Sequence, residues 1–140
     1  MTPNQQELVR STWAQVVPIA DTAASLFYER LFTLDPSLRR LFRRTDMEAQ
    51  RRNLVQTLAV VVKGIDDLER LLPAVQALGR RHAGYGVRPS HYATVGQALL
   101  DTLAAGLGDA FTPAAHEAWA EAYGILAGAM VAAGDEAKAA

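Results

Sequence analysis

The sequence contains no cysteine, only two lysines and no long apolar run. The lack of cysteine excludes disulfides, thiolate metal sites, a cysteine nucleophile and attachment of a cofactor through a Cys-x-x-Cys-His motif. The amino terminus, MTPNQQELVRSTW, has no basic stretch followed by an apolar one, and nowhere does the chain approach the roughly 20 apolar residues of a membrane helix. We therefore expect a cytoplasmic protein that does not associate with a membrane.

The composition is that of one compact domain without a strong overall charge. The chain has 140 residues, of which 50% are hydrophobic and 21% charged, with a net charge of -1. This balance gives no general attraction to nucleic acid or anionic lipid. Twelve of the fourteen basic residues are arginine, which reflects either genomic base composition or a need for rigid, forked cations.

Capping signals and prolines divide the first half of the chain into helices. Thr2-Pro3-Asn4-Gln5 is a capping box that predicts a first helix, and Pro18 ends or bends that helix. A second helix is predicted from about residue 19 to 34, before a short segment that closes at Phe42. Thr45-Asp46-Met47-Glu48 reads as a second capping box, which opens a third helix.

The second half of the chain shows the same helical period. Asp66-Asp67-Leu68-Glu69 predicts a helix that ends near Gly84, with Pro73 in its first turn or at a kink. Pro89 opens a helix through about residue 107, and Thr112-Pro113 opens a last helix that Gly134 is expected to end. We predict an all-α bundle of six or seven helices, with one domain over residues 1–134 and a frayed tail over 135–140.

His82 shares a predicted helix face with Leu71, Val75 and Leu78, so its imidazole faces inward. It is either a hydrogen-bonded core histidine or a ligand. His91 and His116 each lie in the first turn of a predicted helix, where His91 serves the surface or a cap and His116 can pack on Trp119. None of the three forms an i, i+4 histidine pair, so a metal site built from protein ligands alone is not expected.

Two further polar residues, Tyr28 and Gln50, occupy apolar faces of other predicted helices. Each residue alone has an ordinary explanation. The tyrosine can pack with its hydroxyl reaching solvent, and the glutamine can lie at the edge of the apolar helix face. Together with His82 they need a joint explanation, because three inward polar groups are costly to bury unless something polar lies between them. A metal-centred prosthetic group with a diatomic ligand meets that requirement.

The spacing of these residues resembles the globins, and among them the single-domain bacterial haemoglobins related to the haem domain of flavohaemoglobins. The resemblance runs from LVRSTW to AWAEAYGIL and includes LFYERLF with Pro36 and Phe42 following it, HYATVG, and the interval of 32 residues between Gln50 and His82. It implies a globin fold of six to eight helices packed around a haem pocket.

The resemblance also implies roles for individual residues. His82 is the expected iron ligand, Tyr28 and Gln50 are the expected donors to a bound gas, and Arg81 is expected to reach a haem propionate. The full set expected to contact the cofactor is Phe42, Gln50, Leu54, Arg81, His82, Val87, Tyr92 and Val95. Arg51, Arg52 and Tyr85 are weaker propionate candidates, and the basic stretch from Arg39 to Arg52 is equally well a solvated face or a docking surface for an acidic reductase.

One part of the family pattern is missing. Flavohaemoglobins pair a glutamate late in the last helix with a tyrosine matching Tyr92, which gives the proximal imidazole more anionic character, but the matching position here is Gly134. Asp135 and Glu136 are neighbours of that position, and the sequence leaves open whether either replaces the glutamate. Without that carboxylate the imidazole is expected to donate less electron density to iron.

The function implied is reversible, high-affinity O2 binding on non-covalent haem b, with NO and CO as further ligands. Conversion of nitric oxide to nitrate is implied when a separate reductase supplies electrons, and the expected oligomeric state is a monomer or weak homodimer. The alternative is a haem-based sensor or a partner-binding helical domain without turnover. RNA binding through residues 39–52 is not expected, because no stacking aromatics are interleaved with the arginines.

Overall fold

A computed structural model describes residues 1–139, and within that part of the chain every regular element is helical. The predicted all-α fold is therefore confirmed. The six α-helices are α1 (Pro3–Val16), α2 (Ala20–Leu34), α3 (Met47–Lys63), α4 (Leu68–Gly84), α5 (Pro89–Leu107) and α6 (Pro113–Ala139). Short 3-10 segments span Val17–Ile19, Pro36–Phe42 and Gly108–Ala110. Among residues 1–139 no helix combines the length and apolarity needed to cross a bilayer.

Local capping chemistry accounts for most helix starts. The backbone N–H of Gln5 donates to the Thr2 hydroxyl at 3.1 Å and the Thr2 N–H donates to Oε1 of Gln5 at 2.9 Å, which confirms the first capping box. The second predicted box is wrong. Asp46, not Thr45, is the N-cap of α3, because its carboxylate accepts from the backbone of Glu48 and Ala49. A carboxylate is a stronger acceptor than a hydroxyl at a helix start.

The predicted positions of Gly134 and Pro73 differ from those in the structure. Gly134 does not end the last helix, since α6 continues through it to Ala139. Its backbone stays helical because the residue is buried against a neighbouring helix, and that packing outweighs the weak helix propensity of glycine. Pro73 lies inside α4 rather than in its first turn. The domain boundary at residue 134 stays a prediction.

The hydrophobic core lies where α1, α2, α5 and α6 meet. Trp13 and Trp119 pack at 6.3 Å between ring centroids, and the Trp119 indole N–H donates to the buried hydroxyl of Thr12 at 2.8 Å. The buried members of this cluster are Val9, Trp13, Val16, Phe27, Tyr28, Leu31, Leu38, Val62, Ile65, Ala98, Leu99, Leu103, Ala118, Trp119 and Ala122. This cluster draws little from α4, which packs elsewhere.

The strongest packing of α4 is against α6, through glycine. A Cβ atom at Gly79 would overlap the carbonyl oxygen of Met130, and one at Gly134 would lie 3.2 Å from Cβ of Ala83. The two backbones therefore approach more closely than any larger residue at position 79 would allow. By contrast, α3 and α4 are not extensively packed on each other within the described residues. The helix that carries His82 is thus anchored on α6, away from the helix that carries Gln50.

Candidate functional site

Tyr28 and Gln50 meet directly, although 22 residues separate them in the chain. The amide nitrogen of Gln50 in α3 donates to the Tyr28 hydroxyl oxygen of α2 at 3.1 Å. The phenol ring packs edge-on against Phe42, with ring centroids 5.6 Å apart, and against Phe27 at 4.9 Å. Since the Tyr28 oxygen accepts this bond, its own hydroxyl hydrogen is left available to another acceptor.

Tyr28 is held as a neutral donor. Its side chain is buried, and that burial raises the pKa of the phenol above its ordinary value of 10.0, while the hydrogen bond from Gln50 and the charge of Arg51 pull the pKa the other way. The hydroxyl therefore keeps its proton throughout the neutral pH range.

His82 lies half-buried in the last turn of α4 with one ring nitrogen committed. Its Nδ1 is 2.8 Å from the carbonyl oxygen of Leu78, so Nδ1 carries the proton and Nε2 presents a lone pair. Burial, together with the adjacent Arg81 charge, lowers the pKa of the imidazole, although the bond to Leu78 opposes that shift. Burial thus favours the neutral ring, the form in which histidine ligates metals.

The surroundings of His82 come from α4, α5 and the turn between them. Val87 and Tyr92 line a small cavity together with Ala83, one residue after His82. The Tyr85 ring lies 6.2 Å from the imidazole between centroids. Val95 is partly buried further along α5 and packs on the hydrophobic core.

The tyrosine–carboxylate relay of the family pattern is not formed among the described side chains. Gly134 is buried against Ala83 and the backbone of Gly79, where an added Cβ would be 3.2 Å from Cβ of Ala83. Asp135 is exposed at the edge of the cavity that Tyr92 lines. The hydrogen bond recorded at Tyr92 is made by its backbone carbonyl, which accepts from the Tyr123 hydroxyl at 2.6 Å. The imidazole of His82 is instead oriented by the Leu78 carbonyl.

The Pro36–Phe42 segment links the Tyr28 group to the His82 group. Its Phe42 contacts Tyr28, and its Leu41 lies against the turn after α4, where a Cβ at Gly86 would be 3.6 Å from Leu41. Gly86 has a φ of 94°, so glycine is required at this turn. Leu54 is partly buried on α3, one turn beyond Gln50. The structure therefore gathers the predicted residues into two groups, one on α2 and α3 and the other on α4 and α5.

The remaining predicted residues have simple placements. Arg81 is exposed beside His82, and no ion pair to it is recorded within residues 1–139. His91 caps α5, because its Nδ1 accepts from the Arg88 backbone N–H at 3.0 Å. His116 packs on Phe111, at 5.7 Å between ring centroids, rather than on Trp119 as the sequence suggested. The Trp119 side chain is buried in the core, whereas His116 is exposed on the surface of α6.

The sequence did not reveal an apolar cavity of about 30 Å³ beside Leu54. It is bounded by α1, α2, α3 and α5, with Trp13, Phe27, Leu58 and Leu103 in its wall. The small residues Ala20, Ala23 and Ala24 border it. The three alanines on one side of α2 are the sequence feature that indicates this cavity. Whether they leave a space depends on which helices pack against them.

A comparison with protein families decides the classification. The Globin family model matches residues 25–130, three quarters of the chain, including Tyr28, Gln50 and His82. The chain belongs to the globin family. Its curated relatives include the flavohemoproteins of Bacillus subtilis, 34% identical over 127 residues, and of Vibrio cholerae, 33% identical over 133 residues. These alignments cover 89% and 91% of this globin but only 32% and 33% of the relatives, so it spans about a third of their length.

Solved structures agree with this globin in fold. An engineered carbene transferase from Rhodothermus marinus, described as an inferred nitric oxide dioxygenase, is 28% identical and superposes with a TM-score of 0.87 over 99% of this chain and 96% of its own. A bacterial globin from Campylobacter jejuni, 22% identical, gives the same TM-score over 99% of this globin and 100% of its own chain. The second likeness concerns the fold alone.

The donor set of this globin fits a haem. A porphyrin supplies four nitrogen ligands and needs one from the protein, and the Nε2 lone pair of His82 is of the right type. The apolar faces of the porphyrin would cover side chains that are only partly buried in the structure, as Phe42, Leu54, Val87 and Val95 are. Its carboxylates suit an exposed guanidinium such as Arg81.

Proposed function

We propose that this globin binds haem b non-covalently through His82, takes up O2 reversibly, and converts nitric oxide to nitrate when a reductase supplies electrons. The observation that carries the proposal is the imidazole of His82, whose Nδ1 is held by Leu78 so that Nε2 is free to ligate. The flavohemoprotein relatives and the inferred nitric oxide dioxygenase support it. When bound, haem supplies an open coordination position for diatomic gases.

His82 is proposed to act as the single protein ligand to iron. Its bond to a backbone carbonyl orients the ring and fixes the tautomer, as second-shell acceptors do for metal-bound histidines. A carbonyl is a weaker acceptor than a carboxylate, so it polarises the imidazole less than the glutamate of flavohaemoglobins would. We therefore propose that the chain favours retention of O2 over strong activation of it.

Tyr28 and Gln50 are proposed to hold the gas ligand. The Tyr28 hydroxyl is buried and protonated, and its hydrogen is not used in the bond from Gln50, so we propose it as the donor to a ligand that gains negative charge. Gln50 holds the phenol oxygen in place and contributes a second amide hydrogen. CO is less polar than O2 and gains less from both groups.

A haem titration tests the cofactor assignment. Purified protein with added haem should replace the broad spectrum of free haem with the sharp Soret band of a histidine-ligated haem, and His82→Ala should lose that spectrum, which added imidazole should restore. His116→Ala is the matched control, since His116 is exposed and packs on Phe111. A wild-type spectrum in His82→Ala would reassign the ligand, and a wild-type titration that leaves the spectrum of free haem unchanged would overturn the proposed function.

A further inference from the structure

The positive charge of the chain is concentrated in two segments. Residues 35–52 and 80–91 hold nine of the twelve arginines and three of the fifteen acidic residues, for a net charge of +6. The rest of the chain carries -7, although the total is only -1. We call the nine arginines of these segments the basic rim. They are Arg39, Arg40, Arg43, Arg44, Arg51, Arg52, Arg80, Arg81 and Arg88.

The two segments of the basic rim lie against each other. Leu41 of the Pro36–Phe42 segment packs at Gly86, in the turn that joins α4 to α5. Asp35, at the start of the same segment, is within electrostatic reach of both Arg40 and His91 of α5. The two arginine-rich segments therefore adjoin at this turn, beside the helices that carry Gln50 and His82.

Most rim arginines are exposed and make no recorded ion pair within residues 1–139. The exception is Arg52, which pairs with Glu48 at 3.3 Å, and Arg39 stacks over the ring of Phe32. The other two acidic residues of these segments are engaged locally, since Asp35 accepts from Ser37 and Asp46 caps α3. Outside the rim the pattern reverses, and each arginine there pairs with an aspartate.

Haem propionates do not account for this excess. A haem carries two carboxylates, which leaves several of the nine guanidinium groups facing solvent. Self-repulsion among so many like charges is unfavourable in the isolated protein, and an anionic partner relieves it.

One exposed aromatic side chain beside the basic rim indicates a protein partner. Tyr85, 67% exposed, lies in the turn between Arg81 and Arg88. Tyrosine and arginine are the residue types enriched at the centres of protein interfaces, whereas RNA binding relies on several stacking aromatics. Among the exposed large hydrophobic side chains of the described residues, Tyr85 is the one aromatic.

We propose that the basic rim is the docking surface for an acidic flavoprotein, the class of protein that supplies electrons to a haem. This inference rests on the proposed function for its biological sense, but the docking itself requires only the charges and Tyr85. Long-range attraction between opposite charges speeds such encounters and weakens with salt over a screening length of about 10 Å.

Binding to oxidised flavodoxin, a small and strongly acidic flavoprotein, tests the proposal without any turnover. Calorimetry or fluorescence anisotropy, with and without added haem, should show binding that weakens at least tenfold between about 20 and 200 mM salt. Arg43→Glu/Arg44→Glu should weaken binding at least tenfold, while Arg43→Lys/Arg44→Lys should stay within about threefold of wild type. The matched control, Lys63→Glu/Arg70→Glu, makes the same charge change outside the rim and should stay within twofold. Lys63 lies roughly 16 Å along α3 from Arg52, and Arg70 lies roughly 15 Å along α4 from Arg80.

The outcomes separate the alternatives. Equal losses in the rim and control variants would overturn the docking surface, as would wild-type binding in the rim variant. Tighter binding of the wild type to vesicles containing phosphatidylserine, or to a single-stranded RNA 20-mer, would replace the protein partner by a lipid or RNA. Circular dichroism confirms that each variant is folded. A failed haem titration with intact flavodoxin binding would overturn the proposed function and leave the docking surface standing.

Discussion

Tyr28 is the residue at which burial and hydrogen bonding act most directly on the proposed chemistry. Its ring is enclosed by aromatic neighbours and its oxygen accepts from Gln50, so the position of its hydroxyl group is set by the fold rather than by solvent. A donor fixed in this way needs little reorganisation when a charged acceptor arrives.

Tyr28→Phe removes this donor and keeps the ring. O2 dissociation from the haem-loaded protein should become about 10 to 100 times faster, because a hydrogen bond to a charged group contributes about 1.5–3 kcal/mol. CO dissociation should change less. Stopped-flow measurements check both, with Gln50→Leu expected to have the smaller effect since Gln50 acts partly through Tyr28. Unchanged O2 rates in both variants would show that neither side chain contacts the ligand.

Tyr123 makes folding sensitive to alkaline pH. Its hydroxyl donates to the Tyr92 carbonyl, and burial, with a smaller effect of Tyr92, raises its pKa well above 10.0. The unfolded chain ionises this phenol near pH 10 and the folded chain does not, so its contribution to stability is complete below pH 10 and is lost as pH rises above that value.

Tyr123→Phe should therefore flatten the fall of unfolding free energy between pH 10 and 12, by up to about 1.4 kcal/mol per pH unit. At pH 7 the variant should be about 1 kcal/mol less stable, since it loses the bond to Tyr92. Urea unfolding at several pH values measures both quantities. Tyr85→Phe is the control, because its ring is exposed, and it should keep the wild-type slope. An unchanged slope in Tyr123→Phe would contradict the assignment.

At the scale of helices, the sequence predicted most boundaries because capping is local chemistry. Thr2 with Pro3, and Pro89, mark helix starts that the structure reproduces. The sequence placed the N-cap of α3 one residue early and ended α6 at Gly134, where the structure continues the helix. The sequence around a glycine does not distinguish a helix end from a close contact with a distant helix. Gly134 is at such a contact.

Gly79 is the tightest point of the contact between α4 and α6. Gly79→Ala should destabilise the fold by about 2 kcal/mol or more, because the new methyl group meets the backbone of Met130, which cannot rotate away. Gly128→Ala in α6 is the matched control. It has open space around the added methyl and should stabilise the helix by about 0.5–1 kcal/mol. Denaturation followed by circular dichroism gives both values, and equal effects would contradict the packing.

For the whole molecule, the candidate site was predictable as a set of residues but not as an arrangement. Tyr28, Gln50 and His82 stood out as polar side chains on apolar faces, and spacing related them to a family. No sequence pattern showed that Gln50 donates to Tyr28, or that the two arginine-rich segments meet where Leu41 packs at Gly86. Such facts depend on how helices pack, which is decided by contacts between residues far apart in the chain.

Burial is unevenly shared among the helices. Helix α3 buries one residue, Val62, and α4 buries two, Val75 and Gly79, against five buried residues in α5. Helices with few buried contacts open at lower free energy than the rest of a fold. A haem bound through His82 would add contacts to both α3 and α4, and a ligand that binds only the closed state stabilises it in proportion to its concentration over its dissociation constant.

Hydrogen exchange measured before and after haem addition should therefore show protection gained in α3 and α4, by about tenfold or more, with much smaller changes in α5. The melting temperature should rise with haem concentration. His82→Ala should lose most of the gain in α4, while His91→Gln, at the cap of α5, should retain it. Uniform protection across all six helices, or protection confined to α1 and α6, would place the cofactor elsewhere in the fold, because a ligand stabilises first the segments whose opening would break its own contacts.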